Sequence, residues 1–289
     1  MNVTIRPMKQ EDVETCGRIC YEAFKNLADC HGFPPDLPSP EFSVQLAQSF
    51  FANPHIYCIV AENEDGEIVG SNCLWEYDEI RAVGPLSVDP HRQSKGAGRK
   101  LMEAVIERGR DAAGIRLVQD AFNTASMSLY ASQGFDVKEP LVMIAGAIRG
   151  GVPTGTEVRP IRAEDYAGCA ELCRKIHGIE RTGELKNTPP FLTSFVALRD
   201  GRITAYASAP HFWALNYAVA ETEEDMQAVL MGAGNLSNGE PLSFLLPTRQ
   251  TDLFRWCLKQ GMRVVKPATL MSMGKYEEPH GCFLPSVGY

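Results

Sequence analysis

The sequence predicts an α+β protein built from two related domains, each a mixed, mostly antiparallel sheet flanked by helices. Three observations carry that prediction. A chain of 289 residues exceeds the usual single-domain span of about 100–200 residues. Ile5-Arg6-Pro7, followed by Glu11-Asp12, Cys16 and Cys20, returns as Val158-Arg159-Pro160 with Glu164-Asp165, Cys169 and Cys173. Short strand-like runs interleave with apolar stripes of helical period, the pattern of helices layered on a sheet.

The repeat extends through each half. Val60-Ala61, Asp65-Gly66 and Ile68 match Val196-Ala197, Asp200-Gly201 and Ile203, while Gln133-Gly134 and Pro140 match Gln260-Gly261 and Pro267. The separation between equivalent residues shrinks along the chain, so the second copy is the shorter one, through trimmed loops or missing elements. Arg149-Gly150-Gly151-Val152-Pro153-Thr154-Gly155 has the glycine and proline content of a linker. The predicted domains are therefore residues 1–148 and 157–289.

In the first half the predicted order begins with a strand over 3–7 and a helix over 11–26. That helix has Val13, Cys16, Ile19, Cys20 and Phe24 on one stripe. An irregular stretch over 30–40 leads to a helix over 40–51. A strand over 56–62, a turn at Asp65-Gly66 and strands over 67–76 and 80–88 follow. A helix over 96–112, a strand over 115–122, a helix over 126–133 and strands over 135–148 complete the half. Cys16/Cys20 and Cys169/Cys173 sit one helical turn apart. With no histidine or second cysteine pair to complete a tetrahedral set, core packing is the expected role and no metal is predicted.

Composition narrows the function. Hydrophobic residues at 44% and charged residues at 22% exclude disordered, collagenous and coiled-coil chains. A formal net charge of -8 opposes broad binding to nucleic acid or anionic membranes. The longest apolar runs, such as Val142 to Ile148, fall far short of the ~20 residues of a membrane helix. Arg6, Lys9, Glu11 and Asp12 leave no room for the apolar core of a signal peptide. Nine cysteines without framework spacing point to free thiols and a cytoplasmic setting.

The most informative segment is Val88-Asp89-Pro90-His91-Arg92-Gln93-Ser94-Lys95-Gly96-Ala97-Gly98-Arg99-Lys100-Leu101, which joins a predicted strand to a predicted helix. Gly96 and Gly98 remove side chains where unpaired helix N–H groups could approach an anion. Arg92, Lys95, Arg99 and Lys100 reverse the charge locally, as a pyrophosphate and an outlying phosphate would require. Glycine spacing alone fits equally well a tight turn into a solvated basic helix. The Walker pattern is absent, and the dinucleotide pattern fails because position 101 is leucine.

Here the sequence resembles the GNAT superfamily of N-acetyltransferases. Gln93-Ser94-Lys95-Gly96-Ala97-Gly98 after Val88-Asp89-Pro90 is similar to its acetyl-CoA loop, [QR]-x-x-G-x-[GA]. Asn123, Leu129, Tyr130, Gly134 and Phe135 follow its second signature, with Ser126 in place of the usual alanine. The resemblance implies a tandem-domain acetyltransferase with acetyl-CoA as donor substrate and no metal. By the same resemblance, main-chain N–H groups over Gln93, Ser94, Lys95, Gly96, Ala97 and Gly98 hold the pyrophosphate beside Arg99. Leu86 and Val88 pair with the pantetheine arm in the manner of an added strand. A main-chain N–H near Leu86 serves the oxyanion, with Gly84-Pro85 bulging the strand before it. Asn123 holds the acyl end, and Tyr130 is the general acid for the leaving thiolate.

An amine acceptor must lose a proton before it attacks. Glu76, Asp78 and Glu79, between two predicted strands, are candidates to attract a cation or relay that proton, with a polar hairpin as the plain alternative. Gln119, Asp120 and His91 are weaker candidates. The expected acceptor is a small cationic amine, or else a protein amine, attacked directly without a covalent cysteine intermediate. The competing class is a non-catalytic acyl-CoA-binding or regulatory module.

The second half lacks these groups. Val219-Ala220-Glu221-Thr222-Glu223-Glu224-Asp225-Met226 stands where the loop should be, and Cys257 stands at the position of Tyr130. Four carboxylates would repel a pyrophosphate. Gly232-Ala233-Gly234 reads as a helix stop. Leu253 to Leu258 reads as a packing helix, and Trp213, Phe254, Trp256 and the tail 283–289 as packing aromatics. His280-Gly281-Cys282 has no partner pair for a metal. Residues 157–289 thus resemble a degenerate GNAT-like domain.

Overall fold

The computed structural model describes residues 2–93, 95–148, 150–189 and 192–288. Ser94, Arg149 and Tyr289, which the sequence reading touched, lie outside the described residues. Two compact units are present. One runs to Leu117 and adds Phe122–Phe135; the other comprises Val118–Ala121 and the chain from Asp136 onward.

The first unit contains β1 (Val3–Pro7), α1 (Val13–His31), α2 (Pro40–Ala52), β2 (Ile56–Asn63), β3 (Ile68–Trp75), β4 (Ile80–Val83), β5 (Ser87–Val88), α3 (Ala97–Arg108), β6 (Gly114–Asp120, entering the second unit at Val118) and α4 (Thr124–Ser132). Its sheet order is β1-β2-β3-β4-β6, with β5 also on β3; the β4–β6 pair is parallel and the other pairs are antiparallel. Helix α1 outlasts its predicted end at residue 26 because no breaker intervenes before Gly32, which stops it at φ 72. Ser39 caps α2 by accepting the Phe42 N–H at 3.2 Å, with Pro40 in the first turn.

Strand β3 is buried on both faces. Ser71 and Cys73 face a cavity of about 20 Å³ shared with Cys16 and Cys20 of α1, Ser43 of α2 and Cys58 of β2. The next side chain, Asn72, turns to α3 and contacts Met102 Sδ at 3.4 Å. Sequence spacing gave no sign that four thiols meet here. Burial pushes Cys16 and Cys20 up to about 12, so they pack as neutral thiols.

The second unit contains β7 (Asp136–Gly146), β8 (Thr156–Pro160), α5 (Tyr166–His177), α6 (Thr182–Lys186), β9 (Phe195–Arg199), β10 (Arg202–Ala207), β11 (Ala218–Ala220), α7 (Glu223–Leu236), β12 (Leu242–Pro247), α8 (Thr251–Lys259), β13 (Arg263–Gly274) and β14 (Cys282–Leu284). One sheet runs β14-β11-β10-β9-β8. In the other, β7 lies between β12 and β13, from Leu242↔Gly146 to Pro247↔Leu141 on one side and Arg263↔Ala145 to Ser272↔Asp136 on the other. Residues 118–121 join it through the Ala121 N–H, which donates to Pro267 O at 3.2 Å.

These pairings divide the chain differently from the repeat. The last strand of the first copy packs with the second unit, so the compact boundary falls at Phe135 rather than at 148. One sequence reading is corrected. Gly232 and Gly234 do not stop a helix; they lie inside α7, where a Cβ would overlap Val158 and crowd Ile148 O. The tail extends the first of these sheets, with Leu284 opposite Ala218.

The repeated Arg-Pro segment builds the same ion pair twice. Arg6 donates to both oxygens of Asp12 at 2.7 and 3.0 Å, and Arg159 to both of Asp165 at 2.7 and 2.9 Å. Each carboxylate also accepts a backbone N–H, from Lys9 or Arg162, fixing the entry into the following helix. The arginine hydrogen bonds hold both carboxyls below their usual value of 3.8 against the opposing effect of burial. A lowered folded-state value adds stability above about pH 4 and loses it as the pH falls through that value. Asp12→Asn and Asp165→Asn should each cost about 1–3 kcal/mol in urea unfolding at neutral pH. The penalty should shrink as the pH falls below about 4 and vanish only past the lowered folded-state value, where the wild-type carboxylates are themselves protonated.

Candidate active site

Strands β4 and β5 are two pieces of the single strand predicted over 80–88. Trp75↔Ala82 and Leu74↔Val83 pair in one piece, and Ser71↔Ser87 and Gly70↔Val88 in the other. Three residues, 84–86, therefore stand opposite two, 72–73. The extra residue breaks the ladder where Gly84-Pro85 was expected to bulge it.

Beside this break lies a cavity of about 480 Å³, within the ordinary range for small-molecule sites. Leu86, Ser87 and Val88 form one wall; Gln93, Gly96, Ala97, Gly98 and Arg99 close one end; Asn123, Ser126 and Leu129 approach from α4, and Phe24, Leu27 and His31 from α1. The two sequence motifs thus meet at one space. The loop between β5 and α3 is braced internally: Asp89 accepts the His91 N–H at 2.9 Å, and Gln93 Nε2 donates to Val88 O at 3.1 Å. Gly96 adopts φ 90 at the cap of α3, presenting that helix N-terminus to the cavity.

The four cations of this segment separate. Arg92 and Arg99 line the cavity, Arg92 also pairing with Glu67 at 2.7 Å and Arg99 donating to Ser132 Oγ at 3.0 Å. Lys100 Nζ turns away and donates to Val3 O at 3.1 Å, while Lys95 is exposed and is not among the lining residues. Asn123 lines the cavity and caps α4 by accepting the Ser126 N–H at 3.1 Å. Tyr130 follows Leu129 but is buried, its ring edge-on to Phe135, and it is not among the lining residues.

The acidic candidates fall elsewhere. Glu76 is bound by Arg81 at 3.2 Å and Arg108 at 3.0 Å in a separate cleft with His55 and Asp111. Glu79 is exposed, its backbone carbonyl accepting the Ala113 N–H. Neither lines the cavity, and no aspartate or glutamate is found among the described residues that do. Sequence proximity to a strand end did not reveal which end of the sheet these carboxylates occupy. Asp120 pairs with Lys266 at 2.6 Å in the second unit.

The helix of the second unit that follows a comparable strand is closed by its own chain. Thr222 caps α7 by accepting the Asp225 N–H, and Asp225, fully buried, is ion-paired with Arg199. A carboxylate thus lies in the first turn of α7, whereas α3 opens onto a cavity. Cys257, at the position of Tyr130, is buried in the core with its thiol pushed up to about 12. No group of three or more potential metal ligands occurs among the described residues. Among those residues no helix is long and apolar enough to cross a membrane.

Gly96→Ala should weaken CoA binding by roughly tenfold, since a Cβ in the left-handed region costs about 1–2 kcal/mol. Gly98→Ala should change it far less, because its Cβ would meet Leu129 and Val88 at 3.6 and 3.7 Å, ordinary contact distances. Calorimetric titration of CoA into each variant checks the contrast.

Residues 21–135 match the family model of the acetyltransferase (GNAT) family. No curated protein matches the chain. Among solved structures, a Pyrococcus horikoshii protein is similar over 96% of this chain and 93% of its own, with 19% identity and a TM-score of 0.74. A GCN5-related N-acetyltransferase from Sphaerobacter thermophilus covers 97% and 98% at 14% identity and TM-score 0.61. A tandem GNAT protein from the clavulanic acid biosynthesis pathway covers 96% and 100% at 14% identity and TM-score 0.58. At these identities the structural likenesses speak for the fold, and the family model speaks for the half that holds the cavity. Residues 21–135 thus carry the acetyltransferase (GNAT) family model, and the chain over nearly its whole length has the fold of these solved structures, a tandem GNAT protein among them.

Proposed function

We propose that this protein is an acetyl-CoA-dependent N-acetyltransferase, with its donor site in the cavity of the first unit. The supporting observation is the convergence of Leu86–Val88, the glycine-capped start of α3 and Asn123 on one space. In this reading the main-chain N–H groups from Gln93 to Gly98 bind the pyrophosphate, assisted by Arg92 and Arg99. The part assigned to Ser94 rests on the motif alone, and Lys95 adds only to the local positive field. Leu86 and Val88 offer main-chain groups to the pantetheine arm, and Asn123 positions its acyl end.

A neutral amine attacks the thioester carbon directly. The carbon–nitrogen bond forms, the oxyanion is held by the Leu86 N–H, and the carbon–sulfur bond then breaks. The amine gives up one proton to solvent water, the departing thiolate takes one from Tyr130 in this scheme, and Tyr130 is reprotonated from solvent. Tyr130 holds this role through its place in the motif.

Glu76 and Glu79 are not carried into the mechanism, because Glu76 is committed to two arginines and neither carboxylate reaches the cavity. The expectation of a cationic acceptor then rests on the net charge of -8 alone. The acceptor in this proposal is a small-molecule amine with no required second positive charge, a protein amine being the alternative. A cytoplasmic setting accords with nine free cysteines, eight of them buried.

Calorimetric titration of acetyl-CoA should give one site per chain, in the first unit; absence of binding would overturn the proposal. Tyr130→Phe should lower acetyl transfer by about 10²–10⁴ with donor affinity kept. An unchanged rate would remove Tyr130 from the chemistry.

A further inference from the structure

An antiparallel ladder that loses a rung must place the backbone groups it strands, and here two side chains of β3 and one of its carbonyls take three of them. Opposite the three-residue segment 84–86, the Cys73 N–H donates to its neighbour's side chain, Asn72 Oδ1, at 2.9 Å. The Gly84 N–H donates to Cys73 O at 2.9 Å. The Gly84 carbonyl accepts the indole N–H of Trp75 at 2.7 Å in a buried contact. Pro85 has no N–H to place. Two of these bonds tie the segment to β3, and both are made at Gly84, ahead of Leu86. Pairing then resumes only at Ser87, and the intervening residue lines the cavity.

The indole itself cannot drift. Trp75 is 9% exposed, and its ring is wedged edge-on between Phe50 at 5.1 Å and Tyr77 at 6.1 Å. Tyr77 is anchored in turn by Asn53 Nδ2, which donates to its hydroxyl at 2.6 Å. A single donor on a fixed ring therefore sets the position of the Gly84 carbonyl, two residues before the peptide that borders the reacting atoms.

We propose that Trp75 is a positioning residue for acyl transfer: by holding the Gly84 carbonyl, its indole N–H keeps the Leu86 N–H aimed at the acyl carbonyl oxygen. This rests on the reading of the cavity as an acetyl-CoA site with Leu86 as oxyanion donor. Trp75 touches neither donor nor acceptor in this account. It acts through the backbone, and displacement of an oxyanion donor by even a fraction of an ångström is expensive in rate.

The spectroscopic arm of the test reads the thioester carbonyl directly and needs no knowledge of the acceptor; the rate arm uses an amine found to support CoA release by the wild type. Acetyl-CoA labelled with carbon-13 at the carbonyl is bound to the full-length protein, and its stretching frequency is measured by difference infrared spectroscopy. The same measurement is made on Trp75→Phe and on Trp75→benzothienylalanine, which keeps the ring shape and replaces only the N–H. The wild type should lower the frequency relative to free acetyl-CoA. Both variants should lose that shift while the calorimetric Kd stays within about twofold, and acetyl transfer should slow by roughly 10–100-fold. A full shift and a wild-type rate in the benzothienylalanine protein would overturn the role of Trp75 while leaving the enzyme reading intact. Wild-type binding without a shift would overturn Leu86 as donor, and this inference with it. Failure of the wild type to bind acetyl-CoA would overturn the functional reading itself.

Discussion

The arrangement of the first unit depends on a mismatch in one strand pair: residues 84–86 must be accommodated opposite only Asn72 and Cys73. A regular antiparallel strand paired along both of its edges would commit every main-chain group to a ladder. Such a strand would have nothing left with which to pair an extended ligand. The mismatch separates β4 from β5 and leaves Leu86 at the cavity, next to a helix whose glycine cap leaves room at its N-terminus. In the proposed acetyl-CoA reading, partial positive charge at the start of α3 and the backbone of the strand break would serve two parts of one ligand. The pyrophosphate is anionic and the pantetheine arm is an extended chain with amide groups.

The two halves show how little must change to remove that capacity while keeping the fold. Both copies use the bidentate Arg–Asp pair to direct the chain from the first strand into the first helix. The difference lies in the helix N-terminus. In the first copy a glycine caps it, whereas in the second Thr222 accepts the Asp225 N–H, and the buried Asp225 carboxylate, held by the Thr222 hydroxyl and Arg199, lies in the first turn. An incoming phosphate would have to displace a carboxylate already hydrogen-bonded and ion-paired, at a desolvation cost that grows with its burial.

Much of this could be read before folding because it is local. Strand β1 falls on the predicted residues 3–7, and α2, β2, β3 and α4 lie within a few residues of their predicted bounds, since caps, turns and apolar stripes are written in neighbouring positions. The glycine loop and Asn123 were legible for the same reason. What could not be read was spatial. The acidic stretch near Glu76 lies between predicted strands, yet Arg108, at the far end of α3, and Arg81 claim it. The shared cavity of Cys16, Cys20, Cys58 and Cys73 arises from two helices and two strands with no common spacing. The Trp75 contact joins residues nine apart across a strand break that sequence could place but not shape.

Strand pairing also gives the degenerate half a physical reason to exist. Strand β7 belongs to the first copy by repeat, yet it runs between β12 and β13 of the second, with Leu141 and Ile144 buried there. Cutting the chain at the glycine-rich linker would strip β12 and β13 of the strand between them. It would also turn the buried ladder of β7 into two bare edges, the kind of surface that proteins otherwise cover or charge. Strand β7, counted with the first copy by repeat, therefore depends for its ladder on β12 and β13 of the second.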